Sequence, residues 1–66
     1  MAKRRYVVTQ DFKARSPEGI EVWIKRGFEV WAEEHEVGDT IHFEMDALEY
    51  EVDRALFESS TKLKTP

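Results

Sequence analysis

Apolar and polar positions alternate along most of this chain. Tyr6, Val8, Phe12 and Ala14 share one phase, with Gln10 in the intervening place, and Ile20, Val22 and Ile24 form the next run. Phe28, Val30 and Ala32 follow, then Ile41, Phe43 and Met45, then Leu48, Tyr50 and Val52. A period of two over short runs predicts half-buried strands, because successive side chains leave a strand on opposite faces. β-branched and aromatic residues dominate these runs, which suits a pleated, half-buried surface. Turn chemistry falls between them. Ser16-Pro17-Glu18-Gly19 and Lys25-Arg26-Gly27 read as turns, Val37-Gly38-Asp39-Thr40 ends a polar loop, and Asp46-Ala47 sits at hairpin spacing without the favoured glycine.

Two segments need separate arguments. Phe28, Trp31, Ala32 and His35 also fit helical spacing, but Val30 keeps the strand phase and a turn glycine precedes the run, so strand is the reading taken. Arg54-Ala55-Leu56-Phe57 breaks the alternation and predicts a single short helical turn. About five short strands with one late turn predict an all-β fold, a single small barrel whose closure hides its edges. The expected core is Val8, Phe12, Ile20, Val22, Ile24, Phe28, Val30, Ile41, Phe43, Met45, Leu48, Tyr50, Val52 and Phe57.

The order of these features resembles an SH3-like barrel. Tyr6 to Ala14 would be the first strand, returning through a long loop and Ile20–Ile24. Lys25-Arg26-Gly27 resembles the diverging turn, Phe28–Ala32 the next strand, and Glu33–Gly38 the variable loop. Thr40–Met45 with Glu49–Val52 would be the central hairpin, Arg54–Phe57 the short 3₁₀ turn and Ser60–Leu63 the closing strand. The resemblance thus implies a basic amino-terminal segment at 1–5, a barrel of about five antiparallel strands at 6–63 and a tail at 64–66. The Ala-Leu-Tyr-Asp-Tyr run, the adjacent Trp pair and the Pro-Ser-Asn-Tyr element of eukaryotic proline-motif SH3 domains are absent, so no ligand-binding residues are carried over. The compact, cysteine-free form is similar to small bacterial or phage-type proteins.

At 66 residues the chain holds one domain, of a size that buries only about 60% of its unfolded surface. No apolar run exceeds three residues, and no apolar stretch follows the charged start Lys3-Arg4-Arg5, so neither a membrane span nor a signal peptide is expected. The absence of cysteine removes disulfides and thiolate chemistry and makes the cytoplasm the expected compartment. The net charge of −4 hides a segregation. Residues 1–26 carry seven cations against three acids, residues 27–53 carry ten acids and no Lys or Arg, and residues 54–66 carry three cations and one acid. Acids interspersed with apolar residues predict a folded acidic face, which attracts basic partners at low salt.

Catalytic signatures are missing: there is no phosphate-binding glycine loop, no HExxH and no serine elbow. The only histidines, His35 and His42, would have to join Asp39 for a metal site, at a spacing that matches no ligand pattern. A non-enzyme without cofactor or metal is therefore expected. The tryptophans carry more information. With Val22 and Ile24 inward Trp23 faces out, and with Val30 and Ala32 inward so does Trp31. A hairpin at Lys25–Gly27 would put both rings on one outer face, unless a bulge turns one inward.

The function this predicts is a non-catalytic protein-binding module in a regulatory or accessory role. Its contact face would be Trp23 and Trp31 bordered by Glu21, Glu29 and Glu44, with a basic protein as partner. Homodimerisation through the same aromatic face is a related expectation. Two alternatives stand beside it. Lys3, Arg4, Arg5, Lys13, Arg15, Lys25 and Arg26 would form a basic nucleic-acid patch, against which the acidic pI near 5.1 argues. Alternatively Glu44, Asp46, Glu49, Glu51 and Asp53 would present phosphate-like charge as a DNA mimic.

Overall fold

The computed structural model describes residues 3–33 and 37–64. Seven strands and one helix follow in the order β1 (Lys3–Val8), β2 (Phe12–Arg15), β3 (Glu21–Ile24), β4 (Glu29–Glu33), β5 (Thr40–Met45), β6 (Leu48–Asp53), α1 (Arg54–Ser60) and β7 (Thr61–Leu63). The strands form one sheet in the spatial order β3-β2-β6-β5-β4-β1-β7. Every pairing in it is antiparallel.

This order corrects the SH3-like barrel. The sheet is open: among the described residues β3 at one end and β7 at the other each have one neighbour, and no pairing joins them. The strands among the described residues number seven, not about five. Alternation could not distinguish the two cases, because a period of two reports which face a residue occupies and not which strand lies beside it. The expected hairpin at Lys25–Gly27 is corrected as well, since β3 and β4 stand four places apart in the sheet. Gly27, at φ 97°, serves a link that crosses between distant strands.

The open sheet is nonetheless curled. β1 and β2 are also four places apart, which in a flat sheet is about 19 Å. Only Thr9, Gln10 and Asp11 join them, and a chain of that length reaches about 14 Å at most. The sheet must therefore roll until β2 approaches β1. Hydrogen bonds hold the rolled end. Gly27 N–H donates to the Val8 carbonyl and Val8 N–H to the Phe28 carbonyl, each at 2.8 Å. Thr9 N–H donates to the Ser60 carbonyl, also at 2.8 Å.

The concave side of this curl holds the core. Val8, Phe12, Ala14, Ile24, Val30, Ala32, Ile41, Phe43, Tyr50, Val52 and Phe57 are buried there, with Tyr6, Val22 and Met45 packed against them in part. Phe43 is the hub. It stacks on Tyr50 at 5.5 Å and meets Phe12 at 5.9 Å and Phe57 at 5.8 Å between ring centroids. Phe12 lies two strands from Phe43, so their contact is itself a product of the curl.

Three residues assigned to the core are exposed instead: Ile20 at 61%, Phe28 at 46% and Leu48 at 49%. Each is in phase with a strand but lies at or beyond its end, outside the concave surface. The predicted 3₁₀ turn is an α-helix of seven residues, extended by Glu58 to Ser60. An Arg54–Glu58 ion pair at 3.8 Å spans one turn of it. The Thr61 hydroxyl closes its end by donating to the Phe57 carbonyl at 2.8 Å. The β5–β6 hairpin turns on Asp46 and Ala47, both at positive φ (54° and 65°), the geometry of a tight two-residue turn built without glycine.

Candidate functional site

The convex face of the sheet carries the residues left out of the core. Trp31 stands on β4, a strand with neighbours on both sides, opposite Arg5 of β1 and opposite Glu44 of β5. It is 40% exposed, so a large apolar ring remains in solvent in the body of the sheet. Glu44 in turn lies opposite Glu49 of β6, which places two like charges directly across the β5–β6 hairpin. The Lys3 ammonium donates to Glu44 at 3.2 Å and offsets part of that repulsion. Glu29, two residues from Trp31 on the same face, binds Lys64 and lies 3.6 Å from Arg5. The hydrogen bond from Lys64 holds the Glu29 carboxyl below its usual range, with the charges of Lys64 and Arg5 adding to it.

Trp23 occupies a different setting. It lies on the edge strand β3, 55% exposed, with the Lys13 and Lys25 ammonium groups 5.2 and 5.6 Å from its ring centroid. Both distances are within the range of cation–π attraction. Lys13 is its cross-strand partner, and Lys25 arrives from the link toward β4. Asp11 fixes that link. Its carboxylate accepts the Arg26 backbone N–H at 2.8 Å and meets Lys25 at 3.5 Å. The backbone bond, helped by Lys25, keeps the Asp11 carboxyl below its ordinary range.

The predicted face of Trp23, Trp31, Glu21, Glu29 and Glu44 is thus divided. Trp31, Glu29 and Glu44 come together at the middle of the sheet, whereas Trp23 and Glu21 lie on the edge strand at its far end. The predicted basic set is divided too. Lys3, Arg4 and Arg5 lie on β1, Lys13 and Arg15 on β2, and Lys25 and Arg26 in the β3–β4 link. Several of these cations already hold carboxylates, among them Arg15 on Glu51 at 3.1 Å. Of the residues weighed for DNA mimicry, Glu44 and Glu49 face each other, Asp46 forms the turn, Glu51 bridges Arg15 and His42, and Asp53 precedes α1.

His35 lies outside the described residues. His42 sits 3.4 Å from Glu51, and no group of three or more metal-ligating side chains occurs among the described residues. No helix among them is long and apolar enough to cross a membrane. A cavity of about 160 Å³ lies between Tyr6, Ile41 and Phe57, and one of about 120 Å³ beside Arg15, Glu51 and Leu56. Both are smaller than the roughly 300–1,000 Å³ that encloses a small-molecule ligand. Compared with protein-family models, with curated proteins and with solved structures, the chain matches none.

Sequence reasoning missed Asp11 and Lys64 as members of these arrangements, and weighed Glu49 only among the carboxylates of a DNA mimic. The partners of Asp11 and Lys64 are distant in the chain, so no local motif marks them.

Proposed function

We propose that this domain is a non-catalytic protein-binding module, in a regulatory or accessory role, whose contact surface is the convex sheet face around Trp31. The observation that carries the reading is the exposed Trp31 ring beside the facing carboxylates of Glu44 and Glu49. Like charges directly opposed on a sheet are destabilising. A basic side chain supplied by a partner would relieve that repulsion while the partner's apolar surface covers the ring. The partner's chemistry is therefore a cationic group beside an apolar one on a protein surface. A DNA-binding protein offers such a surface, which keeps the mimic reading within the same test.

A second reading has its own observation. Trp23 with Lys13 and Lys25 against its ring is an aromatic platform flanked by cations, the arrangement that stacks a base beside a phosphate. Capture from an extract of the source organism, with and without nuclease, distinguishes the two. A partner that wild type retains after nuclease and Trp31→Ala loses supports the first reading. Capture that disappears with nuclease and depends on Trp23 replaces it with the second.

A further inference from the structure

The backbone of β3 is left half-used. β3 pairs with β2 alone, in the register Phe12 with Ile24, Lys13 with Trp23, Ala14 with Val22 and Arg15 with Glu21. Its direction of hydrogen bonding follows from the adjoining turn. Ser16 N–H donates to the Ile20 carbonyl at 2.9 Å, which makes Ser16 and Ile20 a hydrogen-bonded pair continuing that register. In an antiparallel ladder such pairs alternate with non-bonded ones. Ile20, Val22 and Ile24 therefore aim their backbone groups at β2, and Glu21 and Trp23 aim theirs away from the sheet. Arg26 keeps the same parity, since its N–H turns toward Asp11 at the start of β2. The outward N–H and C=O groups of Glu21 and Trp23 have no partner strand among the described residues.

A length of four residues and the charge of Glu21 are the defences of this exposed edge, and the others are missing. Edges are commonly blunted by proline, lysine, bulges or extreme shortness. β3 contains neither Pro nor Lys, and its register with β2 runs without a bulge. The other edge, β7, is three residues long with Lys62 at its centre. β3 also places the large exposed ring of Trp23 beside its free backbone, with exposed Ile20 just before the strand.

We propose that this edge pairs with β3 of a second copy of the chain, antiparallel and about a two-fold axis through Trp23. In that register Trp23 faces Trp23 of the second copy, and Glu21 faces Lys25 of the second copy. Glu21 and Trp23 carry outward backbone groups, Lys25 offers its N–H because its carbonyl already accepts the Phe28 N–H at 3.2 Å, and the three odd-numbered side chains share the convex face. The charge pair forms twice, once on each side of the axis, because the sequence Glu21-Val22-Trp23-Ile24-Lys25 carries opposite charges symmetrically about its tryptophan. On the concave side Val22 lies opposite Ile24 of the second copy, which its own chain already buries, so the convex side carries the contact. This charge symmetry selects a copy of the chain over an unrelated peptide. The contact is isologous, so it closes as a dimer and does not propagate into a fibre. It is independent of the function proposed for the Trp31 face, which the pairing leaves open.

The test is sedimentation equilibrium of the full chain over roughly 1 μM to 1 mM, a span that reaches weak association. Wild type is expected to pass reversibly from monomer to dimer. Glu21→Lys and Lys25→Glu each set like charges against each other at both pairs, and each alone should dimerise about tenfold or more weakly. Mixed in equal amounts, the two variants should form a heterodimer, because the mixture restores opposite charges at both positions. Glu21→Pro, which removes an outward N–H and leaves the bonds to β2, should also be monomeric, and it covers the case in which Lys25→Glu fails to fold. Thermal melts of each variant establish that they are folded. A wild type that stays monomeric to 1 mM overturns the proposal. So does a dimer indifferent to these changes, or one that Trp31→Ala abolishes.

Discussion

Glu44 on β5 lies directly opposite Glu49 on β6, and the pair borders the exposed ring of Trp31. Lys3 reaches Glu44 from the first strand, but among the described residues no cation pairs with Glu49. Replacing Glu49 by Lys turns a repulsive cross-strand pair into an attractive one. Stability should rise by about 0.5–1 kcal/mol, read as a higher urea midpoint at unchanged slope. If the convex face binds a basic partner, the same variant should bind it less well. A more stable protein with weaker capture is the expected combination.

The β5–β6 turn holds Ala47 at φ 65°, a region that costs an L-residue with a Cβ and costs glycine little. Ala47→Gly creates Asp-Gly, a preferred pair for this turn. It should stabilise the fold by about 0.5–1 kcal/mol in chemical denaturation, despite the added freedom of the unfolded chain. A loss of stability would show that the turn relaxes to another geometry in solution.

The curl can be tested by a contrast. Phe43→Ala removes the ring at which Phe12, Tyr50 and Phe57 converge and should cost about 3–5 kcal/mol, enough to unfold a domain this small. Leu48→Ala, in phase with the same core yet beyond its edge, should change stability by less than about 0.5 kcal/mol. Urea titrations of the two variants measure both. Equal costs would mean that the concave surface reaches as far as the hairpin end.

Alternation made the faces of the strands legible, and little else about their arrangement. Phase alone turns Val30, Ala32, Ile41 and Phe43 inward and Trp31 outward, and all five agree with the structure. Which strands are neighbours was not legible. β3 and β4, joined by a short turn containing a glycine, look like a hairpin, yet three strands lie between them in the curled sheet. The same curl explains Ile20, Phe28 and Leu48, whose phase is right and whose position at the ends of strands is not. For the candidate site, the exposure of both tryptophans followed from phase, whereas their separation depends on strand order. The placement of Lys13 and Lys25 at Trp23, and of Lys64 at Glu29, depends on pairings that no local pattern encodes.

Acid should weaken the fold through two carboxylates. Asp11 is held below its ordinary range chiefly by the Arg26 N–H, and Glu29 chiefly by Lys64. A carboxyl whose pKa is lower folded than unfolded contributes stability above its unfolded value, near 4, and loses it as pH falls through the folded value. The urea midpoint should therefore drop as pH is lowered below about 4, with little change between 5 and 7 from these two groups. Asp11→Asn should flatten part of that fall, and Glu29→Gln another part. An unchanged acid profile in the double variant would assign the pH dependence to other groups.

The placement of β1 bears on how the protein comes to be folded at all. β1 is held between β4 and β7, the second of which is among the last residues of the sequence given, and its nearest strand along the chain, β2, is not its partner. By contrast β5 and β6 need only a two-residue turn to meet. During synthesis β1 would therefore meet its first partner only when β4, 22 to 30 positions later, is free, and its second only with β7, about 55 positions later. Assembly would begin at the β5–β6 hairpin and finish with β7 against β1, so that a product cut short before β7 would leave one side of β1 unpaired.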